Sequence, residues 1–287
     1  YEAGYSADSY DYQATDLTSH IPEIGEPSII RMAVQYQPET RVHCVRSDGT
    51  VAVLVYDRAE EVKCWVDVET DGLVEDVCVL PGTPEDQVYY TVNRTINGST
   101  VRYHEKWALE SECHGGTLNK QADSFVVGSG AVDGLDHLEG ETVVVWADGV
   151  YVGDYTVTAG VAVGAASATS WVAGLAYMAQ YKSTKLAYAT DQGTMLCAPK
   201  RISRIGIIAR NIHPTGLQFG PDFDTLEDLP MVEDGAAISQ DVIREAYDEQ
   251  SFPFVGEWNT DSRLCLQATA PKPVTLLACV VSFDINM

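Results

Sequence analysis

Side chains able to do chemistry are few in this sequence and widely spaced. Cys113 and His114 stand side by side in "CHGG", a thiol next to an imidazole. A nucleophile needs its base opposite it in space, and sequence neighbours rarely face each other, so the pair reads as a turn between glycines. Asp222, Asp224, Glu227 and Asp228 crowd into "GPDFDTLEDLP". Two of them could form a glycosidase acid pair, or several could ligate Ca²⁺. The stretch lacks the D-x-[DN]-x-[DN]-G spacing, however, and reads as solvated acids at a turn. His20, His43, His104, His114, His137 and His213 are dispersed, and none falls in H-E-x-x-H or another metal-ligand spacing. No G-x-S-x-G elbow, Walker loop or G-x-G-x-x-G occurs. The expectation is a protein that is not an enzyme, with no catalytic, cofactor-binding or metal-ligating residue.

Other residues could bind rather than react. Asn93-Arg94-Thr95 and Asn97-Gly98-Ser99 match the N-glycosylation pattern. The second is better explained as a turn, because Asn-Gly favours positive φ. Tyr1, Tyr5, Tyr10 and Tyr12 could form a sugar platform or a docking arm, and a flexible end packed on a neighbour is the plainer reading. Trp107, Trp146, Trp171 and Trp258 could stack on sugars, but Trp on alternating strands usually fills a core.

The elements that would position these residues are strands. Residues 1–27 are polar, rich in Tyr, Asp and Ser, and read as an extended lead-in. From residue 28 the hydrophobic period becomes two. Residues 29–37, 41–47, 50–56 and 62–69 are strand candidates, with Asp48-Gly49 a strong hairpin signal. A second group follows at 73–80, 87–94 and 100–107, with Asn97-Gly98 as its turn. Two successive sets of about forty residues resemble propeller blades or a meandering sheet. "LDHLEGETVVVWADGVYVGDYTV", residues 135–157, reads as a hairpin turning at Asp148-Gly149, with Glu139, Glu141 and Asp148 as surface charge. Residues 161–173 suggest a loosely packed strand and loop, and 200–212 a strand. The stretch 212–234 looks like a loop, 238–249 has some helical character, and 263–269 and 274–283 are strands. The expected fold is all-β: propeller-like antiparallel sheets over 28–134, then a small β-barrel or sandwich over 135–287 with a long acidic loop at 213–250.

Composition narrows the function. Of 287 residues 45% are hydrophobic, enough for a core. Asp and Glu outnumber Lys and Arg by 42 to 18, giving a formal charge of −24. That argues against general nucleic-acid binding, which needs cations to displace counterions, and against docking on anionic membranes. No run approaches the roughly 18 apolar residues of a membrane span. The seven Cys include no C-x-x-C, and most lie in apolar runs, so they are expected to be buried free thiols, suited to a reducing compartment of synthesis. The sequence opens at Tyr1 without a signal-peptide pattern, which suggests a processed chain or part of a longer one.

Several stretches, in order, resemble one family. They are Asp16-Leu17-Thr18, "MAVQYQPETRVHCVRSDGTVAVLVYDRAEEVKCW", "VEDVCVLPG", "NGSTVRYHEKW", "GLDHLEGETVVVWADG", "KRISRIGI" with "GLQFGPDFDTLEDLP", and "RLCLQATAPKPVTLLACVVSFD". Together they are similar to the C-terminal part of the bacteriophage tail nozzle, tail-tube or packaged-DNA stabilisation proteins of short-tailed phages. "AASATSWVAGLAYMAQ" and "MVEDGAAISQDVIREAYDEQS" depart from that pattern. The resemblance implies a virion structural subunit below the portal, made in the bacterial host cytoplasm and located in the virion tail. It implies a ring of copies of itself, six by analogy, neighbouring tail or adaptor proteins as partners, and genomic DNA passing through an acidic lumen without specific binding. The alternative is a tail-associated carbohydrate-binding module for host recognition.

Overall fold

A computed structural model describes all residues except 7, 9, 188, 191, 192, 234, 240, 286 and 287. It is all-β, with 55% of residues in strands and 4% helical. The chain forms two compact units, Tyr1–Leu109 and Glu110–Met287. The expected break at 134/135 would separate residues 123–130 from a strand at 168–175 with which they pair.

In the first unit, β1 (Glu2–Ser6) and β2 (Asp11–Thr15) form a hairpin, followed by a 3-10 turn at Pro22–Gly25. The lead-in is therefore more ordered than its polar composition suggests. Tyr5 pairs with Tyr12 across the hairpin, and Glu2 ties it down by accepting the Tyr56 hydroxyl at 2.5 Å and pairing with Lys63 at 2.9 Å. Next come β3 (Ile29–Gln35), β4 (Thr40–Arg46), β5 (Val51–Asp57) and β6 (Val62–Val68), a four-stranded antiparallel meander. A three-stranded meander follows: β7 (Leu73–Leu80), β8 (Gln87–Ile96) and β9 (Ser99–Lys106). These are the two expected strand groups, each joined by short turns. Gly49 at φ +87° and Asn97-Gly98, both with positive φ, close two of those turns.

Alternation decides what each face does. On one face of the first meander Val45, Val51 and Val53 meet Val74, Val77, Val88 and Val92 of the second. Burying each such side chain contributes about 1.5–2 kcal/mol before entropy is charged against it. On the opposite face Cys44 and Ala52 lie under Ile24, with Ile21, Val42 and Trp65 beside them, and the Trp65 indole donates to Leu17 O at 3.0 Å. The middle strands are thus covered on both sides by residues of their own unit.

In the second unit, β10 (Asp123–Gly130), β11 (Thr142–Ala147), β12 (Val150–Thr158), β13 (Val161–Ala162) and β14 (Ala168–Leu175) build a sheet in the order β10-β14-β11-β12-β13, curled into a half-barrel. The hairpin read at 135–157 is β11 and β12, with Asp148 and Gly149 both at positive φ. The weak strand read near 161–173 is instead β14, a central strand whose Trp171, Val172 and Ala173 are buried.

The remaining strands are β15 (Met178–Lys182), β16 (Ala189–Thr190), β17 (Gly193–Thr194), β18 (Lys200–Ile212), β19 (Leu217–Gly220), β20 (Glu227–Asp228), β21 (Val232–Glu233), β22 (Ala236–Ala237), β23 (Arg244–Pro253), β24 (Cys265–Thr269) and β25 (Thr275–Ile285). They make a sheet β15-β24-β19-β20, a sheet β23-β18-β25, and the small pairs β16-β17 and β21-β22. Ile202, Ile205, Ile207 and Ile212 of β18 pack with Leu217, Phe219, Phe252, Phe254 and Leu266 in their shared core.

Two expectations fail here. The helical character read at 238–249 gives way to β23, because pairing with β18 satisfies its backbone and inserts Tyr247 and Phe252 into the core. The acidic loop at 213–250 contains β19, whose Leu217 and Phe219 are buried between β24 and β20; residues 234 and 240 of that span lie outside the described residues.

Candidate functional site

The carboxylates that could have been catalytic are turn clips. Asp222 Oδ1 accepts the backbone N–H groups of Asp224 at 3.0 Å and Thr225 at 2.8 Å, and the Thr225 hydroxyl at 2.7 Å. These bonds, the Thr225 hydroxyl foremost, hold its carboxyl below the usual range. Asp228 accepts from Gln218 across the β19–β20 pair. The four acids are therefore distributed along a turn and a strand rather than converging on one point. Among the described residues, no group of three or more His, Cys, Asp or Glu is placed to hold a metal ion.

The acids of the β11–β12 hairpin behave alike. Glu139 accepts the N–H groups of Ala159 and Gly160, each at 2.9 Å, and Asp148 accepts those of Thr169 at 3.0 Å and Ser170 at 2.9 Å. Backbone donors, Gly160 first for Glu139 and Thr169 first for Asp148, lower both carboxyl pKa values. In the first unit Asp86 accepts Tyr36, Gln37 and Gly82 N–H groups, with the same downward effect. Surface charge was the expected role for Glu139 and Asp148, and the geometry adds that Glu139 clips the β12–β13 turn and Asp148 ties the β11–β12 turn to β14, each while staying ionised.

Cys113 follows a 3-10 turn at Glu110–Glu112, with its N–H bonded to Glu110 O. The adjoining Gly115 N–H donates to Asn119 Oδ1 at 3.2 Å, and buried Asn119 in turn donates to Pro271 O at 2.5 Å. The CHGG stretch is a packed turn: a Cβ at Gly115 would lie 2.3 Å from Ile243. The cysteines divide otherwise than expected. All are free, with Cys44 and Cys265 buried, Cys113 and Cys279 half-buried, and Cys64, Cys78 and Cys197 exposed on the outward side of their strands or turns.

Asn93 lies on β8 with its amide donating to Glu75 at 3.0 Å, whereas Asn97 sits exposed at the hairpin tip. Tyr1, Tyr5, Tyr10 and Tyr12 are all exposed, and Tyr5 and Tyr12 meet edge to face at 5.6 Å. Trp146 and Trp171 are buried and Trp107 is partly buried, as expected of core Trp; Trp258 is 49% exposed.

Three buried polar centres escaped the sequence reading. Arg94, fully buried, makes a two-pronged pair with Glu105 at 2.8 and 2.7 Å and donates to Asp71 O. Lys200, also fully buried, donates to the carbonyls of Leu196, Ala198 and Thr260 at 3.0–3.2 Å. His43 accepts the Tyr90 hydroxyl at 2.7 Å, faces Gln35 Oε1 at 3.2 Å, and stands edge-on to Trp107. Burial holds the His43 imidazole down at about 4, so the ring is neutral. Alternation marked the strands these residues occupy, but nothing in a single sequence separates a buried Arg or Lys from an exposed one on the same strand.

The arrangement ties Asp222, Glu139, Asp148 and Asp86 into turns, and Arg94, Lys200 and His43 into cores. What it presents outward is fixed negative charge, rows of apolar side chains on outer strands, and one exposed indole. Among the described residues, no helix is long and apolar enough to cross a membrane. No protein-family model and no curated protein matches this chain.

Proposed function

We propose that this protein is a non-catalytic structural subunit that assembles with copies of itself into a ring, the wall of a short-tailed phage's tail channel. One observation carries the reading: the outer strands present apolar rows to solvent. On β3, with Tyr36 just beyond it, Ile30, Met32, Val34 and Tyr36 point outward one after another, all exposed. Leu276 and Val280 do the same on β25, the outer strand of its sheet. Outer strands of this kind invite pairing or covering by another chain. The charge of −24 supports a lumen that repels phosphate and lets DNA slide. In this reading six copies, tail or adaptor neighbours and a virion location follow from the resemblance by analogy.

Sedimentation and electron microscopy of the purified protein test it. The expected result is a ring with a channel wide enough for duplex DNA and no retention of DNA at physiological salt. Met32→Asp with Val280→Asp should shift the ring to monomers while the far-ultraviolet β signal persists. A wild-type protein that stays monomeric at high concentration, or that binds duplex DNA tightly, overturns the reading.

A further inference from the structure

We propose that Trp258, Arg201 and Asp284 form a surface subsite that stacks and hydrogen-bonds the ring of a neutral sugar. Trp258 is the most exposed Trp, about half open, and its N–H makes no hydrogen bond to a described residue. The Arg201 guanidinium lies 5.6 Å from the indole centroid, a cation–π contact. Arg201 Nη2 reaches Asp284 Oδ2 at 3.4 Å, and the two residues are register partners on β18 and β25. Arg201 Nε is shielded from solvent and unpartnered, an orphan donor of the kind that asks for an explanation beyond packing. Aromatic face, donor fork and carboxylate acceptor thus stand together at one place.

The loop that carries the indole is held rigidly, as a recognition surface requires. Lys200 and Asn259 exchange backbone hydrogen bonds at 2.9 Å each way. The Ser262 hydroxyl donates to Lys200 O at 2.7 Å, and buried Lys200 gathers the carbonyls of Leu196, Ala198 and Thr260. Gly256 passes so near β18 that a Cβ there would lie 2.5 Å from Ile202 O. An exposed Trp in a fixed loop loses little entropy when a ligand settles on it.

Two features select the ligand class. Glu257, Asn259, Thr260 and Asp261, which flank Trp258 in sequence, are all exposed and polar, with Val255 the exposed apolar residue of the same loop, a more polar setting than the desolvated centre of a protein–protein hot spot. The C–H face of a pyranose matches the indole, and its hydroxyls match the Arg–Asp pair. The protein's strong negative charge disfavours anionic glycans, leaving neutral sugars. This subsite is independent of the ring reading and can fail without it.

The test labels the full chain with 5-fluorotryptophan, so that its five Trp give separate fluorine resonances. The Trp258 signal is identified by its loss in Trp258→Phe. The protein is then titrated with neutral hexasaccharides of glucose (α- and β-linked), mannose and N-acetylglucosamine. The expected result is a saturable shift of the Trp258 resonance with at least one sugar. Arg201→Ala should weaken that binding at least about tenfold, roughly 1.4 kcal/mol, while Glu60→Ala, on an exposed turn of the first unit, leaves it unchanged and the other four resonances report an intact fold. No movement of the Trp258 signal at millimolar sugar, or movement of a different Trp instead, overturns the proposal. So does a Trp258→Ala variant whose assembly mass changes while no sugar shifts the wild-type signal, which would mark a protein contact.

Discussion

Each unit buries one neutral histidine beside a tryptophan, and the two are held in opposite ways. In the first unit His43 touches residues far apart in sequence: Gln35 on β3, Tyr90 on β8 and Trp107 beyond β9. With the ring neutral, Nε2–H donates to Gln35, Nδ1 accepts the Tyr90 hydroxyl, and the Gln35 amide passes the chain on to Gln37 O at 2.7 Å. The imidazole is a polar rivet between two sheets of valines. In the second unit His213 is served locally. Its Nδ1 accepts the Thr215 N–H at 3.2 Å and the Thr215 hydroxyl at 3.3 Å, the backbone N–H of His213 donates to Pro273 O, and Trp146 meets the ring edge-on at 6.3 Å. The same residue type thus joins layers in one unit and closes a turn in the other. Burial sets both rings at about 4, with Arg41 adding to the effect for His43 and Lys272 for His213. The difference lies in what fails when a partner is removed.

The largest effect is expected at Arg94. Arg94→Ala leaves the Glu105 carboxylate and Asp71 O without their buried partner and should cost about 3–5 kcal/mol. Hydrogen exchange should show the loss in β7, β8 and β9, with β18 still protected. Equal loss of protection in both units would break the contrast drawn between them.

Acid titration comes next. Both imidazoles are neutral in the fold, and in the unfolded chain they would take a proton below about 6.5. Unfolding therefore takes up protons between about 6.5 and about 4, and stability falls as pH drops through that window. The loss approaches about 3 kcal/mol per histidine. The clipped carboxylates lose their share only at lower pH, because their folded values lie below the usual carboxylate range. Denaturant unfolding as a function of pH should show the upper window disappear for the first unit in His43→Gln and for the second in His213→Gln. An unchanged profile in both variants would remove histidine from the account.

Tyr90→Phe is smaller and sharpens the contrast. It orphans His43 Nδ1 and should cost about 1–3 kcal/mol in the first unit. Thr215→Val, which keeps the backbone donor to His213, should cost less than Tyr90→Phe in the second; the reverse order would mean that the local turn matters more than the rivet. Smallest is Asp148→Ala, which removes the clip from β12's hairpin to Thr169 and Ser170. A modest fall in melting temperature is expected, with faster exchange at those two amides and no change in the first unit.

The first unit was nearly all legible beforehand. Its four- and three-stranded meanders follow sequential strands through short turns, so alternation and Asp-Gly or Asn-Gly dipeptides are enough to trace them. The second unit was legible only in pieces. Its β11–β12 hairpin and β18 could be read locally. The pairing of β10 with β14, and of β15 with β24, joins segments far apart, and no local pattern announces it. The β23 segment has Glu245, Ala246 and Glu249, which favour a helix alone, and the edge offered by β18 outweighs that preference. The candidate sugar subsite was half legible: Trp258 could be named from the sequence, but Arg201 and Asp284 are brought to it only by the register of β18 with β25.

By itself, then, the sequence determined the all-β class, most strand positions, the turns that need positive φ, and the strong negative charge. Those follow from local sterics, a two-residue period and a sum of charges, none of which depends on distant residues. The tertiary structure alone decided which polar side chains are buried. Arg94 and Arg102 sit on neighbouring strands of one sheet, yet the first is fully buried and the second exposed on the surface. A strand's period assigns two faces without saying which will meet another layer, and only the packing of sheet on sheet makes that choice.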